Sequence, residues 1–102
     1  MRSELEDVWV DVLASIYRSV DWRKIRRSPY DVFEHRVEFA KYERDVPSVI
    51  QKLCDSLSLQ APPIPLDKVE KLRENEEEAM KVLRKMPKLL SIMAATKARE
   101  KG

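Results

Sequence analysis

Apolar residues return at steps of three and four through most of this chain, and nowhere do they alternate with polar ones. Leu5, Val8, Trp9, Val12, Leu13, Ile16, Tyr17 and Val20 form the first such stripe. It predicts an amphipathic helix over roughly residues 4 to 20. Ser3 with Glu6 three residues later is a capping-box pattern, each side chain matching the other residue's backbone amide at a helix start. Val10 and Ala14 fall off the stripe and suggest a second contact surface on the same helix.

Ser28, Pro29 and Asp31 mark the next start, with proline at the first helical position and Ser28 as cap. Tyr30, Phe33, Val37 and Ala40 give one face, and Val32 and Phe39 widen it, so this helix is expected to touch neighbours on two sides. Asp45 and Pro47 open a third helix, with Val46, Val49, Ile50, Leu53, Cys54 and Leu57 as its stripe.

The run APPIPL, residues 61–66, places three prolines in four positions and cannot be helical. It reads as a linker between an N-terminal helical trio, residues 1–60, and a C-terminal helical segment, residues 67–102. Asp67 with Glu70 repeats the capping-box spacing. Val69, Leu72, Ala79, Val82, Leu83 and Met86 follow, and the phase continues through Leu89, Leu90 and Met93 past Pro87. Pro87 therefore either kinks a long helix or opens a new one. The predicted fold is all-α, a single domain of four to five bundled helices with a proline-rich linker before the last two.

Composition adds to this picture mainly through charge. Asparagine occurs once and glutamine twice while Lys, Arg and Glu abound, a thermophile-like balance. The net charge of +2 conceals segregation, because two basic blocks sit in an otherwise acidic chain. Residues 18–27 carry a net +4 and residues 80–102 a net +6. The single cysteine, Cys54, lies in an apolar run and reads as a small buried side chain in a reducing cytoplasm. No stretch is long and apolar enough for a membrane span.

Catalytic motifs are sparse. A P-loop or dinucleotide fingerprint needs glycines, and the only one is Gly102. A Cys/His zinc site fails with one residue of each kind. His35 has no accompanying nucleophile elbow or glycine-rich oxyanion loop. Asp31, Glu34, His35 and Glu38 share a helix face and are the best metal candidates, but the Glu-x-x-His spacing of carboxylate-bridged bundles is missing, with Val32 in the glutamate's place. They read as a solvated face balanced by Arg36, Lys41 and Arg44. Glu74 and Glu77 fit half the signature of the all-α nucleotide pyrophosphohydrolases, yet after Glu78 the only acid is Glu100. Those acids instead suit the N-terminal half of a helix, paired with Arg73 and Lys81. The expectation is a non-enzyme with no cofactor and no metal.

The basic blocks are the remaining candidates. Lys81, Arg84, Lys85 and Lys88 fall at i, i+3, i+4 and i+7, a cationic ridge that can track phosphates without reading bases. The stretch DWRKIRRSPY puts Arg23, Lys24, Arg26 and Arg27 at the break between the first two helices. Trp22 is either a stacking platform there or a core residue. Ser91, Ala94, Ala95 and Ala98 form a small-residue surface at the C-terminus, mostly explained by core packing. Val10, Ala14, Trp22 and Ile25 are residues that a bundle of this size can spare for a protein neighbour.

With a stand-alone helical bundle, a charged run from Asp67 to Arg84 and the closing helix KLLSIMAATKARE, the chain resembles the small helical subunits of CRISPR effector complexes, most nearly the type I-A Cascade small subunit. The resemblance implies a non-catalytic role in antiviral defence. Several copies would line the complex beside other protein subunits and help hold target or displaced single-stranded DNA in the R-loop formed with the guide RNA. The phosphate contacts expected on charge layout are Arg23, Lys24, Arg26, Arg27, Lys81, Arg84, Lys85 and Lys88. The alternative is a helical adaptor or homo-oligomer in which these cations only keep the surface soluble.

Overall fold

A computed structural model of the protein describes residues 3–61 and 63–101. They form α1 (Glu4–Ser19), a 3-10 turn (Trp22–Lys24), α2 (Pro29–Ala40), α3 (Val46–Ser56), α4 (Leu66–Glu74), α5 (Glu76–Lys85) and α6 (Pro87–Lys101). The class is all-α, but six α-helices replace the expected four or five. Both additional breaks lie in the C-terminal segment. Asn75, a weak helix former, takes a non-helical conformation (φ −123°, ψ 40°) and separates α4 from α5. Met86 (φ −138°, ψ 53°) separates α5 from α6, so Pro87 opens a helix rather than kinking one. Pro63–Pro65 is non-helical and Pro62 lies outside the described residues.

Helix α1 starts as its sequence requires: the Ser3 hydroxyl accepts from the Glu6 N–H while the Glu6 carboxylate accepts from the Ser3 N–H. The Asp45 carboxylate likewise accepts from the Ser48 N–H at the start of α3. The capping box expected from Asp67 and Glu70 does not form, because α4 begins two residues earlier, with Pro65 at the cap. Glu76 makes a cap that no local pattern announces, its carboxylate accepting from the Val46 N–H at the first position of α3 (2.9 Å). Helix α3 closes in a Schellman turn, with Leu59 N–H donating to Cys54 and Ser58 N–H to Asp55. Ser58 occupies the left-handed position (φ 58°) where glycine is usual, in a chain whose one glycine is Gly102.

Helix α1 is the axis of the core. Val8, Trp9, Val10, Val12, Leu13, Ala14, Ile16 and Tyr17 are all buried. At 100° per residue they sweep roughly 240° of the helix circumference, well beyond a one-sided stripe. Val10 and Ala14 are accordingly part of this chain's own core, not residues spared for a neighbour. α4, α5 and α6 pack around α1, and α6 also runs against α2. The small residues Ser91, Ala94, Ala95 and Ala98 are buried and let α6 approach closely. On α2, Val32, Phe33, Val37 and Ala40 are buried, whereas Phe39, expected to widen the packed face, is 60% exposed.

One carboxylate bridges the solvent edge of α1. Asp11 pairs with Lys68 from α4 (3.1 Å) and with Lys97 from α6. Partial burial resists ionisation of Asp11, but hydrogen bonds and charge from Lys97 and Lys68 outweigh it and hold its pKa below the ordinary value. Glu4 and Lys71 extend the same seam (3.2 Å). The buried Cys54 thiol is pushed up in pKa by burial, with Asp55 adding to it.

Trp9 is fully buried, and its indole N–H donates to the Ala79 carbonyl of α5 (2.8 Å). Trp9→Phe removes the donor while keeping most of the apolar volume, and should cost about 1 kcal/mol in chemical denaturation. Trp9→Ala should cost about 3–5 kcal/mol. Asp11→Asn should lose about 1 kcal/mol at neutral pH, allowing for solvent screening of a partly exposed site. Because the folded pKa is lowered, that advantage of the wild type exists above the unfolded value. Denaturation midpoints of the two proteins should converge as pH falls below about 4.

Candidate nucleic-acid interface

The eight cations singled out in the sequence are all exposed, but they do not form one surface. Arg23, Lys24, Arg26 and Arg27 belong to the α1–α2 corner, immediately before the N-terminus of α2. At the other end of that helix, Arg84 donates from Nε to the Lys41 carbonyl (3.0 Å) and from Nη2 to the Glu43 carbonyl (2.8 Å). The two blocks are therefore separated by the length of α2, whose 12 residues span about 18 Å.

The expected ridge on a single helix is also divided. Met86 breaks the helical path, leaving Lys81, Arg84 and Lys85 on α5 and Lys88 on α6. Lys81 pairs with Glu77 and Glu78, and Arg84 is occupied by the chain that follows α2. Lys85 and Lys88 make no ion pair among the described residues. Of the acids in this region, Arg73 pairs with Glu70 and not with the 74–78 run.

The α1–α2 corner is fixed by its aromatic residue. Trp22 packs its ring on Tyr17 (centroids 4.8 Å apart), and Tyr17 meets Phe33 of α2 edge-on (5.1 Å). The Trp22 indole N–H donates to the Tyr17 carbonyl (2.9 Å), which also accepts from the Val20 N–H at the end of α1. Ile25 also packs against the core. Both side chains are half-buried against the core, and Ile25 also lines the cleft beside the corner. With Trp22 and Ile25 turned inward, Arg23, Lys24, Arg26 and Arg27 point to solvent.

Arg23 is held by Asp21 (3.0 Å), and the hydrogen bond and charge between them lower the Asp21 pKa and raise that of Arg23. Lys24, Arg26 and Arg27 make no ion pair among the described residues. The C-terminus of α1 and the N-terminus of α2 meet here, so their dipole fields have opposite sign and the side-chain charges dominate. Arg27 borders a shallow hollow with Asp31, Glu34, His35 and Glu38. Among the described residues, no group of three or more His, Cys, Asp or Glu side chains could hold a metal ion. The hydroxyl of Tyr30 is buried without a hydrogen-bond partner, and burial together with Glu34 and Asp31 pushes its pKa up to about 12.

On its other side the corner overlooks a cleft of about 520 Å³ that Lys24 and Arg27 share with Arg36 of α2. Sequence reasoning assigned Arg36 to the balancing of the α2 acids. In the fold it projects away from them. At 100° per residue, Asp31, Glu34 and Glu38 lie roughly 140–160° around the helix from Arg36. The exposed aromatics are Phe39 and Tyr42, 60% and 74% accessible, not Trp22. The helical period of α2 carries the Arg36 signal, but only the packing of α3 against α2 shows which face is open.

No protein-family model, curated protein or solved structure matches this chain. No helix is long and apolar enough to cross a membrane, among the described residues.

The bonds made by Arg84 give it a measurable structural task. Arg84→Gln should lower the thermal midpoint by a few degrees through loss of the clamp on the Lys41 and Glu43 carbonyls. Lys85→Gln should leave the midpoint unchanged within a degree or so, since exposed groups without partners contribute little.

Proposed function

We propose that the protein is a non-catalytic helical subunit that binds nucleic-acid backbone within a larger ribonucleoprotein. The observation that carries this reading is the α1–α2 corner. Lys24, Arg26 and Arg27 are exposed, lack ion pairs among the described residues, and stand on a turn locked by Trp22. A rigid support reduces the entropy lost when cations are ordered against phosphates. Lys85 and Lys88 at the α5–α6 corner supply a second, smaller contact about 18 Å away along α2. Arg23, Lys81 and Arg84 take a lesser part, because intramolecular partners already engage them.

This role agrees with the resemblance to the small subunits of CRISPR effector complexes. In such an assembly base pairing elsewhere supplies sequence, and this subunit supplies affinity for the target or displaced strand in the cytoplasm. Leu89 and Ile92, exposed one turn apart on α6, offer apolar area to a neighbouring subunit or a second copy. The same pair supports the alternative reading of a helical adaptor without nucleic acid.

Salt dependence separates the two readings. Binding to single-stranded oligonucleotides should weaken as salt rises, the three corner cations alone contributing about −2 to the log–log slope. The triple substitution Lys24→Glu, Arg26→Glu, Arg27→Glu should abolish most of the binding and flatten that slope, with the helical circular-dichroism signal intact. Absence of binding by the wild type at low salt, or an affinity indifferent to salt, refutes the proposal.

A further inference from the structure

The cleft beside the α1–α2 corner does not end at Arg36. A second hollow, of about 280 Å³, is lined by Arg36, Phe39, Lys52 and Ser56. Arg36 and Ser56 border both spaces, so the two lie next to each other along the seam between α2 and α3. It runs from the corner toward the C-terminal end of α2.

Three features of this groove call for a ligand. Its walls carry four cations, Lys24, Arg27, Arg36 and Lys52, against a single acid, Asp21, which Arg23 already holds. This concentrates in one groove more positive charge than the whole chain has in net terms. Secondly, the Arg36 Nε is buried and has no hydrogen-bond partner, and its guanidinium makes no ion pair among the described residues. A buried guanidinium donor left unsatisfied is costly, and the terminal guanidinium nitrogens, which make no hydrogen bond or ion pair among the described residues, are the donors that an anion between the two hollows would meet. The Tyr17 carbonyl near the end of α1 accepts from both Trp22 and Val20, and the Cys54 and Asp55 carbonyls of α3 accept from its own Schellman turn. Thirdly, Phe39 exposes 60% of its surface on a helix whose other apolar residues are mostly buried.

We propose that this groove is the track for a single-stranded nucleic acid, with phosphates against Lys24, Arg27, Arg36 and Lys52 and an unpaired base stacked on Phe39. The inference rests on the nucleic-acid reading above and gives it a path and a strand preference. Phe39 stands one turn from Arg36, a rise of about 4.5 Å, so a phosphate and the adjoining base can be met together. A duplex satisfies the cations but keeps its bases stacked within itself, and only a single strand offers a free base face. The strand therefore follows α2 along its α3 side, using two cations, Arg36 and Lys52, that lie outside both basic blocks of the sequence.

The test uses the full chain and oligonucleotides of roughly 12 nucleotides, within the usual range of strand-binding sites. Arg36→Gln with Lys52→Gln should weaken binding of oligo(dT) about 20-fold near 0.1 M salt and reduce the salt slope by about 1.4. Phe39→Trp places a reporter in the groove, beside the buried Trp9 and the packed Trp22. Its fluorescence should be quenched by oligo(dT) or oligo(rU), and much less by a duplex of equal length. The relative quenching by the two single strands distinguishes a DNA strand from an RNA strand. If the wild type binds oligonucleotide while the double variant binds equally well, the groove is refuted and the corner proposal stands. Equal quenching by duplex, or equal displacement by poly-glutamate at matched charge, also refutes the single-strand track. A wild type that binds no oligonucleotide overturns this inference and the function it rests on together.

Discussion

The burial of α1 over about two thirds of its circumference is the constraint on which the other helices depend. Trp9 sits at its centre with no exposure, and its indole nitrogen requires an acceptor within reach. The acceptor is the Ala79 carbonyl, seventy residues along the chain. That bond sets α5 against α1 at a defined height, and the break at Asn75 lets α4 lie on α1 as well. The remaining strip is closed from both sides by Lys68 and Lys97, which converge on Asp11. What α1 leaves uncovered is mainly polar, and with α6 it borders a cleft lined by Asp7, Asp11, Lys97 and Glu100.

The periphery is organised around α2. Its buried side meets α6 and α3, its acids occupy one outer face, and Arg36 and Phe39 occupy another. Three acids against one arginine make α2 acidic when its residues are summed. Once rotated about its axis it separates into an anionic and a cationic side, and α3 converts the cationic side into a groove. The C-terminal block shows the reverse: four cations at helical spacing look like a ridge, yet one turn is interrupted and two of the four are committed within the molecule.

Several sequence patterns transferred directly into structure because their physics is local. The Ser3–Glu6 box, the Asp45 cap and the stripes of α1 and α3 involve residues within one or two turns of each other. Trp22 shows the limit of such reasoning. Flanked by cations, it reads equally as a stacking platform or a core residue, and its position depends on Tyr17 and Phe33 presenting a surface to it. The same holds for Ser91, Ala94, Ala95 and Ala98, whose small side chains would suit an interface between chains or within one.

The amino-acid sequence by itself determined an all-helical chain, most of its core positions, several of its caps and the location of its basic blocks. These follow from periodicity, capping chemistry and the lack of glycine, which act over a few residues. Only the tertiary structure decided that the basic blocks stand at opposite ends of α2, that Phe39 is exposed, and that Arg36 and Lys52 line one hollow between α2 and α3. Each of those facts depends on which helix lies beside which. That choice is set by long-range packing around Trp9, where side chains far apart in the chain compete for the same buried space.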